Sequence, residues 1–233
     1  MKNINPKIHA LVIVAHPDDE SFLFAGTTLK FAEEGKSVGV ICATKGEKGV
    51  DRLGRHLSEE KMAEIRTHEL ENACSTIHCN CLNIMDYHDG GLAQTNFYQL
   101  VDDLAEKIEK YEPKIVLTFG IEGISGHKDH ITIGLAARAA VKKSVHKIKE
   151  IWLSSLPVSV MGQFNQYLAQ IKVHHSHFQH EKLIGVPDEK LLKIDISKYS
   201  EAKLAALQAH QSQYLPNVSF ELFLHHEYFE VHK

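Results

Sequence analysis

Residues 8–15 form an almost continuous run of apolar, largely β-branched side chains, which ends at the polar sequence His-Pro-Asp-Asp-Glu at residues 16–20. A strand that is apolar on both faces belongs inside a parallel sheet that is covered by helices. Ligands bind at the carboxyl ends of the strands in such a sheet. The first strand therefore predicts both the class of fold and the place of a site.

Segments of strand and helix character alternate along the chain after this strand. We predict further strands at residues 37–43, 81–86, 114–120 and 150–156, and helices at residues 26–35, 58–77, 96–111 and 131–143. Ser58 is a suitable helix cap, because Glu59 and Glu60 follow it in the first turn. The alternation predicts an α/β fold with a mostly parallel, doubly wound sheet and helices on both faces.

The C-terminal part is less regular. We interpret residues 1–233 as one domain, in which residues from about 157 to 233 form an extension that closes the site. Within this extension we expect a strand at 191–196, a helix at 197–214, and a final strand or short helix at 220–231.

The composition excludes several classes of protein. The chain has 233 residues, of which 43% are hydrophobic, so it can bury a sizeable core. It has 26 basic and 30 acidic residues, a net charge of -4, and therefore no broad basic field for nucleic acid. No apolar run is long enough to cross a membrane, and we identify no signal peptide. Four cysteines without a disulfide pattern predict reduced thiols and a cytoplasmic location.

Imidazole and carboxylate groups follow two of the predicted strands. His16, Asp18 and Asp19 follow the first strand, and a Gly-His-Lys-Asp-His sequence at residues 126–130 follows the fourth. A hydrolytic zinc site needs about three protein ligands and an open position for water. Adjacent aspartates point in different directions, so one can bind the metal while the other takes a proton from the water.

The two motifs, Ala-His-Pro-Asp-Asp-Glu at 15–20 and Gly-His-Lys-Asp-His at 126–130, resemble those of the zinc-dependent PIG-L or LmbE-like N-acetylglucosaminyl deacetylases. The resemblance extends from residue 8 to about residue 213. It implies a Rossmann-like fold and removal of acetyl from N-acetylglucosaminyl groups. The second motif has Lys128 where the family commonly has proline.

This resemblance also implies roles for individual residues. The implied zinc ligands are His16, Asp19 and His130, and the implied general base is Asp18. His127 matches the residue that assists the tetrahedral intermediate and the leaving amine, and we expect it to be protonated. Asp129 matches the partner that orients or charges His127.

Two further positions have a functional and a structural interpretation. Arg66 and Glu69 fall on the apolar stripe of their helix, so they form an ion pair three residues apart or line a cavity where Arg66 binds the substrate. The family often has R-x-x-E-L here, which favours the substrate. Asp89 follows the third strand and is either part of an Asp-Gly-Gly turn or, by resemblance, an acceptor for a sugar hydroxyl.

Three other segments are interpreted as structural. Residues 46–49 predict a flexible loop after the second strand, although they match a Gly-Glu segment of the family. His210 resembles a recurring family ending and is expected to brace the fold. The histidine-rich run at 174–180 predicts a hydrated loop that picks up metal from solution.

The first hypothesis for function is a zinc hydrolase that acts on the N-acetyl group of a small amino sugar. Fe²⁺ or Co²⁺ also suits two histidines and an aspartate. The alternatives are an amidase that removes a bulkier acyl group and a non-catalytic metal-binding or sugar-binding protein. No G-x-G-x-x-G follows a strand, which argues against a dehydrogenase. The sequence leaves open the aglycone, whether Asp18 or His127 protonates the leaving amine, and whether the chain forms a homo-oligomer.

Overall fold

Seven strands form a single mixed sheet in the computed structural model, which describes residues 7–171 and 183–233. The strands are β1 (Ala10–Val14), β2 (Val38–Thr44), β3 (Cys81–Tyr87), β4 (Ile115–Phe119), β5 (Glu150–Ser154), β6 (Leu192–Asp195) and β7 (His226–His232). Their order is β3-β2-β1-β4-β5-β7-β6. The first five are parallel, whereas β7 is antiparallel to both β5 and β6. The predicted α/β fold is confirmed.

Nine helices surround the sheet in the described part of the chain. They are α1 (Asp19–Leu23), α2 (Ala25–Glu33), α3 (Glu59–Thr76), α4 (Phe97–Tyr111), α5 (Gly123–Gly126), α6 (Lys128–Lys143), α7 (Met161–Ile171), α8 (Ser200–Ala209) and α9 (Glu221–Leu224). Buried side chains of α2, α3 and α8 pack together, and α4 packs against α6. None of these helices is long and apolar enough to span a membrane.

The order of the strands reverses between β1 and β4. The sheet grows through β2 and β3 on one side of β1 and through β4 and β5 on the other. Such a reversal leaves a crevice at the carboxyl ends of the two central strands, where open α/β sheets bind their ligands. The His-Pro-Asp-Asp-Glu sequence lies on one side of this crevice and the residue 126–130 motif on the other.

Local capping explains where two of the helices begin. The Ser58 Oγ accepts a hydrogen bond of 3.3 Å from the Lys61 amide at the start of α3, as the sequence predicts. Helix α6 begins at Lys128, three residues before the predicted start, because the His127 side chain accepts a hydrogen bond from the Asp129 amide. The extra turn places Lys128, Asp129 and His130 of the second motif inside the helix.

Three helices, α1, α5 and α7, were not predicted, and one is shorter than predicted. Helix α1 has only five residues, too few for a periodic pattern. In α7, the side chains of Met161, Phe164, Leu168 and Ile171 are buried at helical spacing, a signal that polar residues between them obscure. Helix α8 ends at Ala209 and not at residue 214. The histidine-rich run at 174–180 lies outside the described residues.

Candidate active site

The crevice between β1 and β4 brings the side chains of both motifs together. His16 follows β1, while Asp129 and His130 lie in the first turn of α6. The His16 Nδ1 lies 3.2 Å from the His130 Nε2. The Asp19 carboxylate lies 3.1 Å from the same His130 nitrogen through Oδ1 and 3.7 Å from His16 Nδ1 through Oδ2. The three residues predicted as metal ligands are therefore neighbours.

Hydrogen bonds on the far side of each ring orient these donor atoms. The His130 Nδ1 lies 3.0 Å from the carbonyl oxygen of Gly123, which can only accept a hydrogen bond. Nδ1 therefore carries the ring hydrogen, and Nε2 presents its lone pair to the site. The His130 ring also stacks on Phe119, with ring centroids 4.2 Å apart. Because a partner on the outer nitrogen fixes the tautomer and the direction of a ligand, His130 is held ready for a cation.

The donor set fits a small divalent cation. Four ligands at about 2.0–2.1 Å around tetrahedral zinc lie about 3.3–3.4 Å apart, close to the separations seen here. Burial alone would raise the pKa of Asp19, but His130 and His16 hold it well below its usual range, so the carboxylate is ionised. Burial alone would lower the pKa of His16, but Asp129 and Asp89 raise it to about 10 without an ion. A bound cation would take the place of the proton on His16 Nδ1.

Other groupings of donor atoms also occur at this centre. Ligand atoms of His16, His127 and His130 lie within 4.8 Å of one another, as do those of His16, Asp89 and Asp129. His16 belongs to both groups and to the predicted set. The geometry therefore identifies His16 as the common member, and it places the imidazole of His127, the N-cap of α6, beside the predicted ligands.

The carboxylates of Asp129 and Asp89 both face His16. The His16 Nε2 lies 3.3 Å from Asp129 Oδ2 and 3.1 Å from Asp89 Oδ1. The Asp129 carboxylate also accepts hydrogen bonds from the amides of Gly90 and Leu92. The Asp129 carboxylate therefore orients His16, while its backbone amide donates to the His127 ring, and the expected role of Asp129 toward His127 stays a prediction. Asp89 is buried, faces His16 and borders the cavity, and its expected contact with a sugar hydroxyl stays a prediction.

Asp18 lies beside the donor cluster in a strained backbone conformation. Its φ of 113° is rare for a residue with a side chain, and such strain is common at functional sites. The carboxylate borders the cavity and lies 3.1 Å from the Arg66 guanidinium. Burial raises the pKa of Asp18 to about 6, and Arg66 opposes that rise. A carboxylate with such a pKa suits a general base near neutral pH.

Arg66 does not form the predicted ion pair with Glu69. Its guanidinium donates to the carbonyl oxygens of Gly46 and Pro17 and to the Asp18 carboxylate. A β-carbon at residue 46 would lie 2.2 Å from the Arg66 Nη1, so this approach requires glycine. Because most of its donors bind the protein, Arg66 positions Asp18 and the 46–49 loop.

A buried polar network ties the C-terminal turn to this region. The carboxylate of Glu20 accepts hydrogen bonds from the Asp18 amide at 3.0 Å and from Ser21 Oγ at 2.6 Å, and it lies 2.8 Å from His210 Nε2. Glu69 accepts from the amide and the hydroxyl of Ser212, both at 2.7 Å. The prediction that His210 braces the fold agrees with this contact. Its partner Glu20, 190 residues away in sequence, was not predicted.

His127 lies at the edge of the cluster and lines the cavity. Its ring centroid lies 4.9 Å from those of His16 and His130. Burial and the two neighbouring rings lower the pKa of His127 to about 3. Without an ion these surroundings favour the neutral ring, and the expected protonation of His127 during the reaction stays a prediction.

A cavity of about 580 Å³ opens onto the cluster. His16, Asp18, Asp19, His127 and His130 line one end of it. Helices α1 and α7 and the segment around α9 contribute apolar side chains to its lining. The arrangement can hold a cation, a water molecule beside a base, and a ligand much larger than an acetyl group.

Comparisons with known proteins agree with this geometry. The chain is 29% identical over 213 residues to a probable N-acetyl-alpha-D-glucosaminyl L-malate deacetylase 2 of Bacillus anthracis, covering 91% of this chain and 84% of that protein. It is 27% identical over 224 residues to the 1D-myo-inositol 2-acetamido-2-deoxy-alpha-D-glucopyranoside deacetylase of Mycobacteroides abscessus, covering 87% of this chain and 80% of the relative.

Solved structures share the fold at lower sequence identity. N,N'-diacetylchitobiose deacetylase from Pyrococcus horikoshii superposes with a TM-score of 0.69 at 19% identity, covering 96% of this chain and 83% of that one. GalB, the 4-carboxy-2-hydroxymuconate hydratase from Pseudomonas putida, superposes with a TM-score of 0.68 at 18% identity, covering 96% and 95%. Two different reactions thus occur on this fold.

A family model matches more than half of the chain. Residues 11–141, more than half of the 233, match the model described as PIG-L, GlcNAc-PI de-N-acetylase. The match includes β1 to β4 and both motifs of the site. The resemblance found from those motifs is confirmed, and the chain belongs to the PIG-L family.

Proposed function

We propose that this protein is a hydrolase that removes the acetyl group from an N-acetylglucosaminyl group of a small molecule. The observation that carries the proposal is the position of Asp18, which lies at the end of the cavity beside three converging donor atoms of His16, Asp19 and His130. Relatives over most of the chain carry the names of deacetylases of N-acetylglucosaminyl compounds. A protein that only stored a metal would not need a base beside the ligands.

His16, Asp19 and His130 would hold a divalent cation, which we propose to be zinc because two imidazoles and a carboxylate suit it. Such a cation, when bound, polarises the acetyl carbonyl and lowers the pKa of a water molecule. Asp129 and Asp89 keep the His16 ring in its orientation. These carboxylates therefore act on the ligand and not on the substrate.

Asp18 moves the proton in the reaction. It takes a proton from the attacking water as the oxygen of that water forms a bond to the acetyl carbon. The amine nitrogen then receives this proton from Asp18 while the carbon–nitrogen bond breaks, so acetate and a free amino sugar leave. Arg66 holds the Asp18 carboxylate in place, and the neutral His127 ring can hydrogen-bond to the carbonyl oxygen as it gains negative charge.

The experiment is a deacetylation assay with metal analysis. Purified protein, dialysed to remove loosely bound ions, is analysed for metal and then incubated with a panel of N-acetylglucosaminides while free amine is measured. We expect about one metal ion per chain, amine release, and loss of both in His16→Ala. Absence of amine release from every member of the panel by the metal-loaded protein would contradict the proposal.

Two controls separate the alternatives. N-octanoyl analogues of the same glycosides test for an amidase that removes a bulkier acyl group. Faster amine release from these analogues than from the N-acetyl compounds would show that acetyl is not the preferred acyl group. Incubation with 4-carboxy-2-hydroxymuconate tests for hydration, the second reaction that occurs on this fold. Metal binding without either reaction would favour a protein that only binds metal or sugar.

We propose a cytoplasmic location for the protein as well. The cysteines are free, as expected for a reducing compartment, and Cys42 and Cys74 are buried. We also propose that the chain is one domain whose C-terminal part closes the site, which is supported by the contribution of α7 and α9 to the cavity.

A further inference from the structure

Aromatic side chains form much of the lining of the cavity that opens onto the cluster. Phe22 on α1, Phe164 and Tyr167 on α7, and Phe220 and Phe223 near α9 all border it. We refer to these five residues as the aromatic wall. Leucine and isoleucine side chains extend the same surface. Three separate segments of the chain therefore contribute rings to the lining of one cavity.

The rings of the wall hold one another in place. Tyr167 and Phe223 have centroids 5.1 Å apart at an interplanar angle of 77°, and Phe22 and Phe223 have centroids 5.5 Å apart at 81°. Edge-to-face pairs at such distances are favourable. A surface built from mutually packed rings exists before a ligand binds, so little rotamer freedom is lost when one does.

The wall is continuous with the proposed catalytic end. Phe22 lies three residues after Asp19 in the same short helix, so the polar cluster and the aromatic wall meet on α1. The cavity volume of about 580 Å³ lies within the range of about 300–1,000 Å³ of sites for drug-sized ligands. With the acetamido group at the cluster, the remainder of the substrate faces the wall.

Positive side chains offer a competing interpretation. Lys48, Arg52 and Lys128 also line the cavity and could bind an acidic aglycone. However, Lys48 and Lys128 are exposed, and exposed charge pairs contribute little because water screens them. Phe164, Phe220 and Phe223 are buried, and an apolar ligand there would displace water that makes poor contacts with the rings.

We propose that the aromatic wall is a subsite for an apolar, in particular aromatic, aglycone. The substrate would be an N-acetylglucosaminide whose aglycone is apolar rather than a polyol or a hydroxy acid. The reaction rests on the proposed function, whereas binding of the aglycone by the wall does not depend on catalysis.

The kinetic test compares phenyl, methyl and malyl N-acetylglucosaminides of the same anomeric configuration. We expect kcat/KM for the phenyl glycoside to exceed that for the methyl glycoside by at least about tenfold, as for other apolar pockets. Tyr167→Ala and, as a second variant, Leu215→Ala should move this ratio toward one. The matched control is Tyr98→Ala, a change at an aromatic residue that is 80% exposed and does not line the cavity. Equal rates for phenyl and methyl, or a preference for malyl, would overturn the proposal.

The binding test uses the deacetylated phenyl and methyl glucosaminides, and calorimetry measures their affinity for wild-type protein. Tighter binding of the phenyl compound by about tenfold or more supports the wall even if no glycoside is hydrolysed, and in that case only the proposed function fails. Equal affinity for the phenyl and methyl compounds would overturn the proposal that the aromatic wall binds the aglycone. Deacetylation of the methyl glycoside would then still support the proposed function.

Discussion

Glu20→Gln is expected to destabilise the protein strongly although Glu20 does not line the cavity. The carboxylate is fully buried and contacts the Asp18 amide, the Ser21 hydroxyl and the His210 ring. Breaking a buried ion pair by removing one partner costs about 3–5 kcal/mol, and a lost hydrogen bond to a charged group costs about 1.5–3 kcal/mol. Glutamine keeps the shape and part of the bonding, so we expect a loss of about 3 kcal/mol in the free energy of unfolding.

The assay is urea unfolding followed by circular dichroism, with a chelator present so that bound metal does not contribute. In thermal unfolding of a chain of this size, the expected loss of about 3 kcal/mol corresponds to a decrease in Tm of about 6–12 °C. The matched control is Glu201→Gln on the exposed side of α8, which should change stability by less than about 0.5 kcal/mol. If Glu20→Gln is as stable as this control, the carboxylate does not brace the site.

A double-mutant cycle with His210→Gln isolates the pair. We expect a coupling energy within the range of about 0.5–3 kcal/mol that is typical of contacting residues. Additive effects of the two changes would mean that the 2.8 Å contact contributes nothing to stability.

The same pair predicts how the coupling depends on pH. Burial alone would lower the pKa of His210, but Glu20 raises it above its ordinary value of 6.5. A raised folded-state pKa gives stability that is fully present below pH 6.5 and is lost as the pH rises through the folded pKa. The stability gap between wild type and His210→Gln should therefore narrow from pH 6 toward alkaline pH. A gap that widens over this range would contradict the raised pKa.

Further predictions concern the cluster itself. Asp18→Asn should keep the metal and lose about 10²–10⁴-fold in kcat, whereas Asp19→Asn should lose both, as metal analysis and amine release will show. Asp129→Asn should weaken metal affinity by about 10–100-fold in a chelator competition, because it releases the His16 ring; unchanged affinity would refute this orienting role. Arg66→Lys should lower kcat more than it raises KM, and a change in KM alone would return Arg66 to substrate binding.

The sequence by itself determined the features that depend on neighbouring residues. The apolar run of β1, the alternation of strands and helices, and the cap at Ser58 follow from periodicity and local hydrogen bonding. His16 and His130 could be assigned to one site because they follow β1 and β4, and parallel strands end at the same edge. Such signals lie within a few residues of one another and need no knowledge of distant contacts.

The tertiary structure alone decided which buried polar groups pair. The sequence indicated that Arg66 and Glu69 lie on a buried face, but Arg66 binds Asp18, 48 residues away, and Glu69 binds Ser212, 143 residues away. The Asp129 carboxylate likewise lies beside His16, 113 residues away. Burial requires a polar group to find a hydrogen-bond partner, but it does not specify which one. That choice depends on which side chains the packed sheet and helices bring within about 3 Å of each other.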